Sequence, residues 1–267
     1  MGATRTLCRY AVNTRYEDLP KEVIDQAKVC ILNILGVDFG GYKTRIGQLH
    51  VKMAKDFGGG RPQATIIGDG TKVSVPLAAY ANGSLGFALD YEDMIHYILH
   101  AGYISVAAGL AIGEKVKSSG KDFITAIVLA YEVASRIGLS MQPTPERGSK
   151  VWGEQYTPFA SVVPAGKLLG LDEEQMDVAF GVTGTYATVP SAYKYFGIVK
   201  ETRPMKEVKL GWGWMCMAGV FGALSAKEGF RGGHGILDGD EGFWIMEGSD
   251  RCDFDTMTET DKAPERV

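Results

Sequence analysis

Residues 21–39 read KEVIDQAKVCILNILGVDF and follow directly on Pro20. Apolar side chains recur in this stretch at spacings of three and four residues, beginning with Val23 and Ala27, and this spacing places them on one face of a helix. A proline suits the first turn, because its missing N–H would have no helical partner there. The stretch therefore predicts an amphipathic helix. Helical spacing also covers residues 46–57, 77–89, 104–117, 121–139, 156–169, 173–186 and 205–227.

Only one part of the chain has the pattern of β-strands. Residues 64–67 and 72–75 are rich in β-branched side chains and flank a Gly-Asp-Gly turn, which predicts a short hairpin. From Glu247 onward the sequence becomes polar and loses its helical spacing. We therefore predict a mostly α fold with one β-hairpin, with a helical domain over residues 1–246 and a polar C-terminal tail over residues 247–267.

The composition excludes several classes of function. The chain has 267 residues and a net charge of −4, so we expect neither nucleic acid nor an anionic membrane as a partner. Its four cysteines form no C-x-x-C pair, which argues against zinc-ribbon and iron–sulfur sites and fits a reducing compartment. We see no apolar leader and no stretch that approaches the roughly 18 apolar residues of a membrane span. We expect a soluble, cytoplasmic protein.

Residues 78–102, AAYANGSLGFALDYEDMIHYILHAG, hold the densest set of reactive side chains in the sequence. If the helix that starts at residue 77 continues, Asp90 and Asp93 share a face, and His96 follows Asp93 at the same spacing. A carboxylate beside an imidazole fixes its tautomer and suits it to proton transfer. The set that could carry such chemistry is Asp90, Glu92, Asp93, His96 and His100.

Two other interpretations of these side chains stay open. Asp93-x-x-His96 has the spacing of di-iron carboxylate ligands, but such sites need a second motif of this kind, and the sequence has none. We therefore expect no metal. A solvated acidic turn with histidines near a helix end gives the same composition.

A basic segment interleaved with aromatic side chains is the second candidate site. Arginine offers a bidentate fork and lysine a mobile point charge, and both suit a polyacid substrate. A solvated loop is the alternative interpretation. The basic residues are Lys194, Lys200, Arg203, Lys206 and Lys209.

Ordered motifs along the chain resemble those of a known family. Ala81-Asn82-Gly83, Ala88 to Asp93, and His100-Ala101-Gly102 are similar to the signature A-N-G…L-D-[YF]-D-D…H-P-[GS] of the MmgE/PrpD family. The sequences AYEV at 130–133, AGKLLGL at 165–171 and GFRG at 229–232 are similar to later parts of that family. The resemblance covers nearly the whole chain.

This resemblance implies a helical domain of the MmgE/PrpD type and chemistry that uses no cofactor. The family contains 2-methylcitrate dehydratase, cis-aconitate decarboxylase and iminodisuccinate epimerase, which move protons on small polycarboxylic acids. It implies Asp90 and His100 as catalytic residues, and we add Asp93 from the same acidic stretch. The substrate-binding residues that we expect are Asn82, Tyr91, Met94, His96, Trp152, Arg203, Lys206 and Lys209.

The sequence departs from the family pattern at three places. The family's second domain, an α+β lid, would begin soon after Trp244, and we expect it to be absent from this chain. A second catalytic histidine of the family falls near Trp152, where the sequence has none. Met94 follows the acidic pair, and Ala101 replaces the proline after the motif histidine. An open pocket lined by aromatic side chains would favour a larger and less charged substrate.

These observations leave three functions to compare. The first is a lyase or isomerase of small-molecule metabolism that uses Asp90 and His100, so that His100→Ala abolishes turnover. The second is a repurposed cyclase or pericyclase for a larger specialised metabolite, which is more sensitive to changes at tryptophan or Met94. The third is a non-catalytic binding or assembly protein. For the enzyme we expect a small-molecule substrate and a homodimer.

Overall fold

The computed structural model describes residues 2–58, 60–95, 99–150, 155–187 and 212–260. Within these ranges the chain forms twelve α-helices and one two-stranded sheet, which confirms the predicted mostly α fold with a hairpin. The helices are α1 (Ala3–Asn13), α2 (Lys21–Tyr42), α3 (Arg45–Asp56), α4 (Val75–Phe87), α5 (Ala101–Val116), α6 (Gly120–Ser140), α7 (Pro145–Gly148), α8 (Phe159–Leu168), α9 (Glu173–Thr185), α10 (Gly213–Lys227), α11 (Phe243–Glu247) and α12 (Phe254–Thr258). The strands are β1 (Ala64–Thr65) and β2 (Lys72–Val73).

Polar side chains cap the start of two of the long helices. The Ser119 hydroxyl accepts the Asp122 N–H at 3.1 Å at the start of α6. The Asp172 carboxylate accepts the Gln175 N–H at 2.8 Å at the start of α9, and the Gln175 side chain accepts from the Asp172 N–H in return. Each contact satisfies an N–H that the helix itself leaves without a partner.

Small residues bring the central helices close together. Helix α10 packs against α4, α8 and α9, while α5 packs against α4, α6 and α8. A Cβ at Gly83 on α4 would lie 2.2 Å from the Cys216 sulfur on α10, and a Cβ at Gly219 would lie 1.8 Å from the Ser161 hydroxyl on α8. Glycine is therefore required at both crossings, since any side chain would push the helices apart.

The hairpin is fastened to two of these helices. Its strands pair antiparallel, with Ala64 opposite Val73 and Thr65 opposite Lys72. From α5, the Glu114 carboxylate accepts the Thr65 N–H at 2.7 Å and lies 2.6 Å from Lys72 Nζ. From α4, the Asn82 side chain accepts the Ile67 N–H at 2.9 Å and donates to the Thr65 carbonyl at 3.0 Å. The hairpin thus covers one side of the helical core.

The end of α4 differs from the prediction. The helix stops at Phe87 and does not continue through the acidic residues. Asp90 has a φ of 54°, in the left-handed region, so the chain leaves the helical path there. Aspartate tolerates this conformation better than most residues, because its short side chain can form local hydrogen bonds.

Part of the segment expected to be a polar tail is packed against the helices. Met257 of α12 is fully buried, and the Asp253 N–H donates to the Ser140 carbonyl at the end of α6 at 2.8 Å. Arg136 of α6 also donates to the Glu259 carbonyl. Met257, the partly buried Phe254 and these backbone contacts therefore order residues 253–260, although the sequence there lacks helical spacing.

Helix α6 corrects another expectation. It is long and apolar enough to cross a membrane by length and composition, although we expected no such stretch. Within the described structure 83% of its apolar window is buried by the surrounding chain. This burial is usual for the central helix of a globular core.

Candidate active site

The candidate site lies on the loop between α4 and α5. The Asp90 N–H donates to the Phe87 carbonyl at 3.1 Å as the helix ends. Further along, the Ile95 N–H donates to the Leu99 carbonyl at 2.9 Å in an isolated antiparallel bridge. This bridge turns the chain back, so that His100, the residue that precedes α5, returns to the acidic part of the loop.

Three reactive side chains meet on this loop. One carboxylate oxygen of Asp90, one of Glu92 and one ring nitrogen of His100 all lie within 4.8 Å of one another. His100 Nδ1 lies 3.0 Å from Glu92 Oε1, where the Glu92 side chain is fully buried and the His100 side chain is 22% exposed. Glu92 Oε2 accepts the Tyr91 N–H at 2.8 Å, which fixes the carboxylate. A fixed carboxylate at this distance favours a proton on Nδ1 and leaves Nε2 as the nitrogen for chemistry.

An aromatic group supports the imidazole from behind. The Phe87 ring lies edge to face with the His100 ring, with 5.5 Å between centroids. Phe87 also contacts Tyr103 at 4.9 Å and Trp212 at 5.6 Å. The His100 ring therefore has a buried carboxylate at one nitrogen and an apolar wall beside it, which limits its orientations.

Asp93 belongs to a separate, more buried group. Its Oδ2 accepts from the Tyr131 hydroxyl at 2.7 Å. Burial raises the pKa of Asp93, against the opposing effect of this hydrogen bond, and burial also raises the pKa of Tyr131 well above its usual value. A Cβ at Gly102 would lie 2.1 Å from Asp93 Oδ1 and 2.7 Å from the Tyr131 oxygen. Only glycine at position 102 therefore allows this pair to form.

The predicted helical face is wrong for these residues. Since α4 ends at Phe87, Asp90 and Asp93 do not lie on one helix, and Asp90 meets Glu92 and His100 while Asp93 meets Tyr131. Sequence reasoning placed Glu92 in the acidic set but gave it no role. If residues 90–92 are taken as extended backbone, the sequence does indicate a role for Glu92. Residues two apart in an extended chain point to the same side, so Asp90 and Glu92 would then lie together.

The predicted substrate-binding residues have different positions. Tyr91 and Met94 are 78% and 47% exposed on the same loop. Asn82 faces the hairpin, where both ends of its amide bond to backbone groups, which favours a structural role for this side chain. The remaining predicted residues, His96, Trp152, Arg203, Lys206 and Lys209, lie outside the described residues.

The three donors on the loop also have a spacing that a divalent cation could use. Carboxylate oxygens and an imidazole nitrogen are common metal ligands. This set differs from the Asp93-x-x-His96 pair that the sequence suggested, because Asp93 takes no part in it. The arrangement is therefore able to hold a cation or to transfer protons.

A cavity of about 640 Å³ lies elsewhere, between the hairpin and the α5–α6 connection. Thr65, Asn82, Glu114 and Phe123 line it. Its carboxylate, Glu114, already contacts Thr65 and Lys72. The reactive groups that meet on the α4–α5 loop therefore give the stronger candidate site.

Comparison with known proteins gives a consistent result. The family model of the MmgE/PrpD N-terminal domain matches residues 5–251. The chain is 27% identical over 247 residues to cis-aconitate decarboxylase of Aspergillus terreus, which covers 89% of this chain and 48% of that relative. It is 26% identical over 249 residues to cis-aconitate decarboxylase-like protein oryM of Aspergillus oryzae, which covers 89% of this chain and 49% of that relative. The chain thus spans about half the length of the curated relatives it matches.

Proposed function

This chain belongs to the MmgE/PrpD family, and on that premise we propose that it is a lyase of small unsaturated carboxylic acids that works by proton transfer at His100 and Asp90. The decarboxylase names of its relatives support this reaction class. The observation that carries the proposal is the fully buried Glu92 carboxylate 3.0 Å from His100 Nδ1.

His100 is the proposed proton donor. The Glu92 carboxylate lies 3.0 Å from Nδ1, and a proton held on Nδ1 by this negative charge would leave Nε2 as the nitrogen that exchanges a proton with the substrate. In a decarboxylation, the bond from carbon to a carboxylate breaks, and its electron pair shifts into the adjacent unsaturated system. Carbon dioxide leaves, and one proton from His100 is delivered to carbon. Asp90, the exposed member of the cluster, is placed to return a proton to the imidazole from solvent.

A polycarboxylic substrate would need positive charge that the loop lacks. Asp90 and Glu92 would repel a polyanion, because like charges at close range in a partly buried site are unfavourable. We assign substrate carboxylate binding to the basic segment predicted from sequence, with Tyr91 and Met94 at the edge of the site. The proposed basic contacts are Arg203, Lys206 and Lys209.

The test is turnover of cis-aconitate, citrate and 2-methylcitrate in D₂O, followed by ¹H and ¹³C NMR. We expect loss of carbon dioxide or exchange of a carbon-bound proton with wild type, and a fall of at least about 10²-fold with His100→Ala. The matched control is His234→Ala, because His234 Nδ1 also lies near a buried carboxylate, 3.2 Å from Asp177 Oδ2, on another part of the surface. His234→Ala should keep wild-type turnover.

Two outcomes would contradict this proposal. If the wild-type protein converts none of the three acids, small carboxylic acids of this kind are excluded as its substrates. Equal losses in the two histidine variants would show that the effect is not specific to the candidate site.

A second candidate is a cyclase for a larger apolar metabolite, and it rests on Trp212, a partly exposed ring that packs on the buried Phe87 behind His100. Such an enzyme would hold its substrate by shape and depend less on His100. Binding of a conjugated apolar probe, followed by fluorescence, should then weaken in Trp212→Ala. Trp214→Ala is the control, since Trp214 is 49% exposed. Equal binding by both variants would argue against this function.

A further inference from the structure

One oxygen of the buried Glu92 carboxylate lacks a hydrogen bond. Glu92 Oε2 accepts the Tyr91 N–H at 2.8 Å, whereas Oε1 is buried and accepts no hydrogen bond from any described residue. Its charged neighbour is His100 Nδ1 at 3.0 Å, and no lysine or arginine in the described ranges forms an ion pair with Glu92. Burying a carboxylate oxygen costs free energy unless a donor or a cation faces it. Glu92 Oε1 therefore indicates a ligand position on the α4–α5 loop.

Asp90 and His100 bring further ligand atoms to this position. A carboxylate oxygen of Asp90 and a ring nitrogen of His100 both lie within 4.8 Å of the Glu92 carboxylate and of each other. Asp90 is exposed, whereas the Glu92 side chain is fully buried. No other three His, Cys, Asp or Glu side chains meet this closely among the residues that the structure describes. The group thus reaches from the core of the protein to solvent.

The spacing of these atoms fits a six-coordinate cation. Neighbouring ligands of such a cation, with bonds of about 2.1 Å, are about 3.0 Å apart, because their bonds meet at right angles. Ligands around tetrahedral zinc are about 3.4 Å apart. The 3.0 Å between His100 Nδ1 and Glu92 Oε1 matches the six-coordinate arrangement. Two carboxylates and one imidazole suit Mn²⁺ or Fe²⁺ better than Mg²⁺, which prefers oxygen ligands alone.

We propose that Asp90, Glu92 and His100 form a binding site for one divalent cation such as Mn²⁺ or Fe²⁺. The cation binds Glu92 Oε1 and His100 Nδ1 and neutralises the buried carboxylate. Asp90 supplies the third ligand from the exposed side of the group. Three protein ligands leave three of the six positions to water or to a small anion.

Occupation of this site stops proton transfer at His100, and this consequence rests on the proposed function. A cation on Nδ1 takes the place of the Nδ1 proton, so the ring keeps one proton, on Nε2. The ring is then neutral, and a neutral N–H gives up its proton far less readily than a protonated ring does. The cation is therefore an inhibitor of the proposed lyase.

His234 shows that a histidine between two carboxylates does not by itself form such a site. Its Nδ1 lies 3.2 Å from Asp177 Oδ2, and its Nε2 lies 3.5 Å from Glu174 Oε1. The two carboxylates face different nitrogens of the ring, so they cannot share one cation with it. His234 thus provides a matched control for His100.

The first experiment titrates the purified protein with Mn²⁺ and follows the free ion by electron paramagnetic resonance, without any substrate. We expect one bound ion per chain for wild type. Asp90→Asn, Glu92→Gln and His100→Ala should each bind Mn²⁺ at least about tenfold more weakly, because a direct ligand contributes at least as much as a residue that only orients one. His234→Ala should bind Mn²⁺ as wild type does.

Asp90→Asn keeps this test decisive if a change at the buried Glu92 unfolds the protein. Asp90 is exposed, and asparagine tolerates its left-handed backbone, φ 54°, as well as aspartate does. Circular dichroism and thermal unfolding check that each variant is folded.

A second measurement tests which ring nitrogen holds the cation. Zn²⁺ replaces Mn²⁺ here, because its filled d shell leaves the NMR signals sharp. The ¹⁵N shifts of the His100 ring should show the cation on Nδ1 and the proton on Nε2, while the His234 ring stays unchanged. A cation on Nε2 of His100 would overturn the assigned geometry.

A third measurement follows turnover of cis-aconitate at a fixed concentration of free Mn²⁺, because the acid itself binds the ion. Saturating Mn²⁺ should lower turnover at least about tenfold, since proton transfer at His100 is lost, and EDTA should restore it. Unchanged or increased turnover with the site occupied would overturn the inhibitory role.

Other results would overturn the site itself. Equal Mn²⁺ binding in wild type and in the three ligand variants would exclude these residues as ligands. Displacement of Mn²⁺ by a small excess of Mg²⁺ would show a site of carboxylates alone, without His100. If the protein converts none of the acids, the proposed function fails, while the first two measurements still decide the cation site because neither uses a substrate.

Discussion

Glu92 and Glu132 are two buried carboxylates with different partners. Both side chains are almost without exposed surface, Glu92 3.0 Å from His100 Nδ1 and Glu132 2.5 Å from Arg136 Nη2. The His100 side chain is 22% exposed, whereas Arg136 is 3% exposed and also donates to the Glu259 carbonyl. The arginine pair is permanent and closed to ligands, because arginine does not lose its proton. The histidine pair can gain and lose a proton where a ligand can reach it.

The two regions are joined through neighbouring positions on α6. Tyr131 donates to Asp93 of the candidate loop, and Glu132 pairs with Arg136 and so with the C-terminal segment. One helix therefore supports the site on one side and fastens the last described residues on the other. Changes at Glu132 or Arg136 should therefore affect stability, and changes at Glu92 or His100 should affect activity.

The largest expected effect on stability comes from Arg136→Met. This change leaves the Glu132 carboxylate buried without its cation and removes a contact to the C-terminal segment, so we expect a loss of about 3–5 kcal/mol in the free energy of unfolding. Urea denaturation followed by circular dichroism measures it.

Two controls isolate the charge effect at Glu132. Glu132→Leu combined with Arg136→Met should recover much of the loss, because no unpaired charge stays buried. Lys52→Met removes an exposed ion pair with Asp56 and should change stability by less than about 1 kcal/mol. If Arg136→Met were as mild as Lys52→Met, the Glu132 pair would have no structural role.

Glu92→Gln should reduce activity strongly and stability less than Arg136→Met does. The substitution keeps the shape of the side chain but removes the negative charge beside His100, so the ring loses its preference for a proton on Nδ1. We expect turnover to fall by about 10²-fold, which equals about 2.7 kcal/mol in the activation free energy. The loss in stability should be smaller than in Arg136→Met.

A spectroscopic measurement separates this role from simple loss of structure. The ¹⁵N chemical shifts of the His100 ring report which nitrogen carries the proton, with or without a substrate. They should change in Glu92→Gln and stay as in wild type in Glu114→Gln, which alters a carboxylate at the hairpin. Unchanged ring shifts in Glu92→Gln would contradict the assigned role of Glu92.

The sequence predicted the regular parts of this structure well. Helical spacing identified α2 to α6 and α8 to α10, and the β-branched runs around Gly68 and Gly70 identified the hairpin, since these signals are local. It missed α1 and the short helices α7, α11 and α12. The candidate site depends on non-local contacts. No periodic signal shows that Asp90 leaves the helix, that a bridge returns His100 to Glu92, or that Tyr131 reaches Asp93 from a distant helix. Family resemblance identified Asp90 and His100 without these contacts.

Asp38 extends the comparison to a third buried carboxyl group, which forms no ion pair with any residue that the structure describes. It is 1% exposed on α2, and neither oxygen has a hydrogen-bond partner among the described residues. Its Oδ1 lies 2.9 Å from the position of a Cβ on Gly86, next to Tyr103. Burial raises the pKa of Asp38 well above its usual value of 3.8, so the fold favours the neutral acid over the carboxylate.

The smallest expected effect is therefore a pH dependence of stability that Asp38→Asn removes. As pH rises above 3.8, the unfolded chain loses the Asp38 proton while the folded chain keeps it, so stability falls until pH passes the raised folded pKa. The Asn side chain carries no such proton. From pH 4.5 to pH 7.5, Asp38→Asn should gain roughly 1–2 kcal/mol relative to wild type in urea denaturation. Asp250→Asn is the control and should show no such trend over this range, because hydrogen bonds from Thr144 lower the pKa of Asp250 and its contribution to stability is lost only as pH falls below 3.8. If the wild-type and Asp38→Asn curves stayed parallel, Asp38 would be ionised in the fold and would need a partner like those of Glu92 and Glu132.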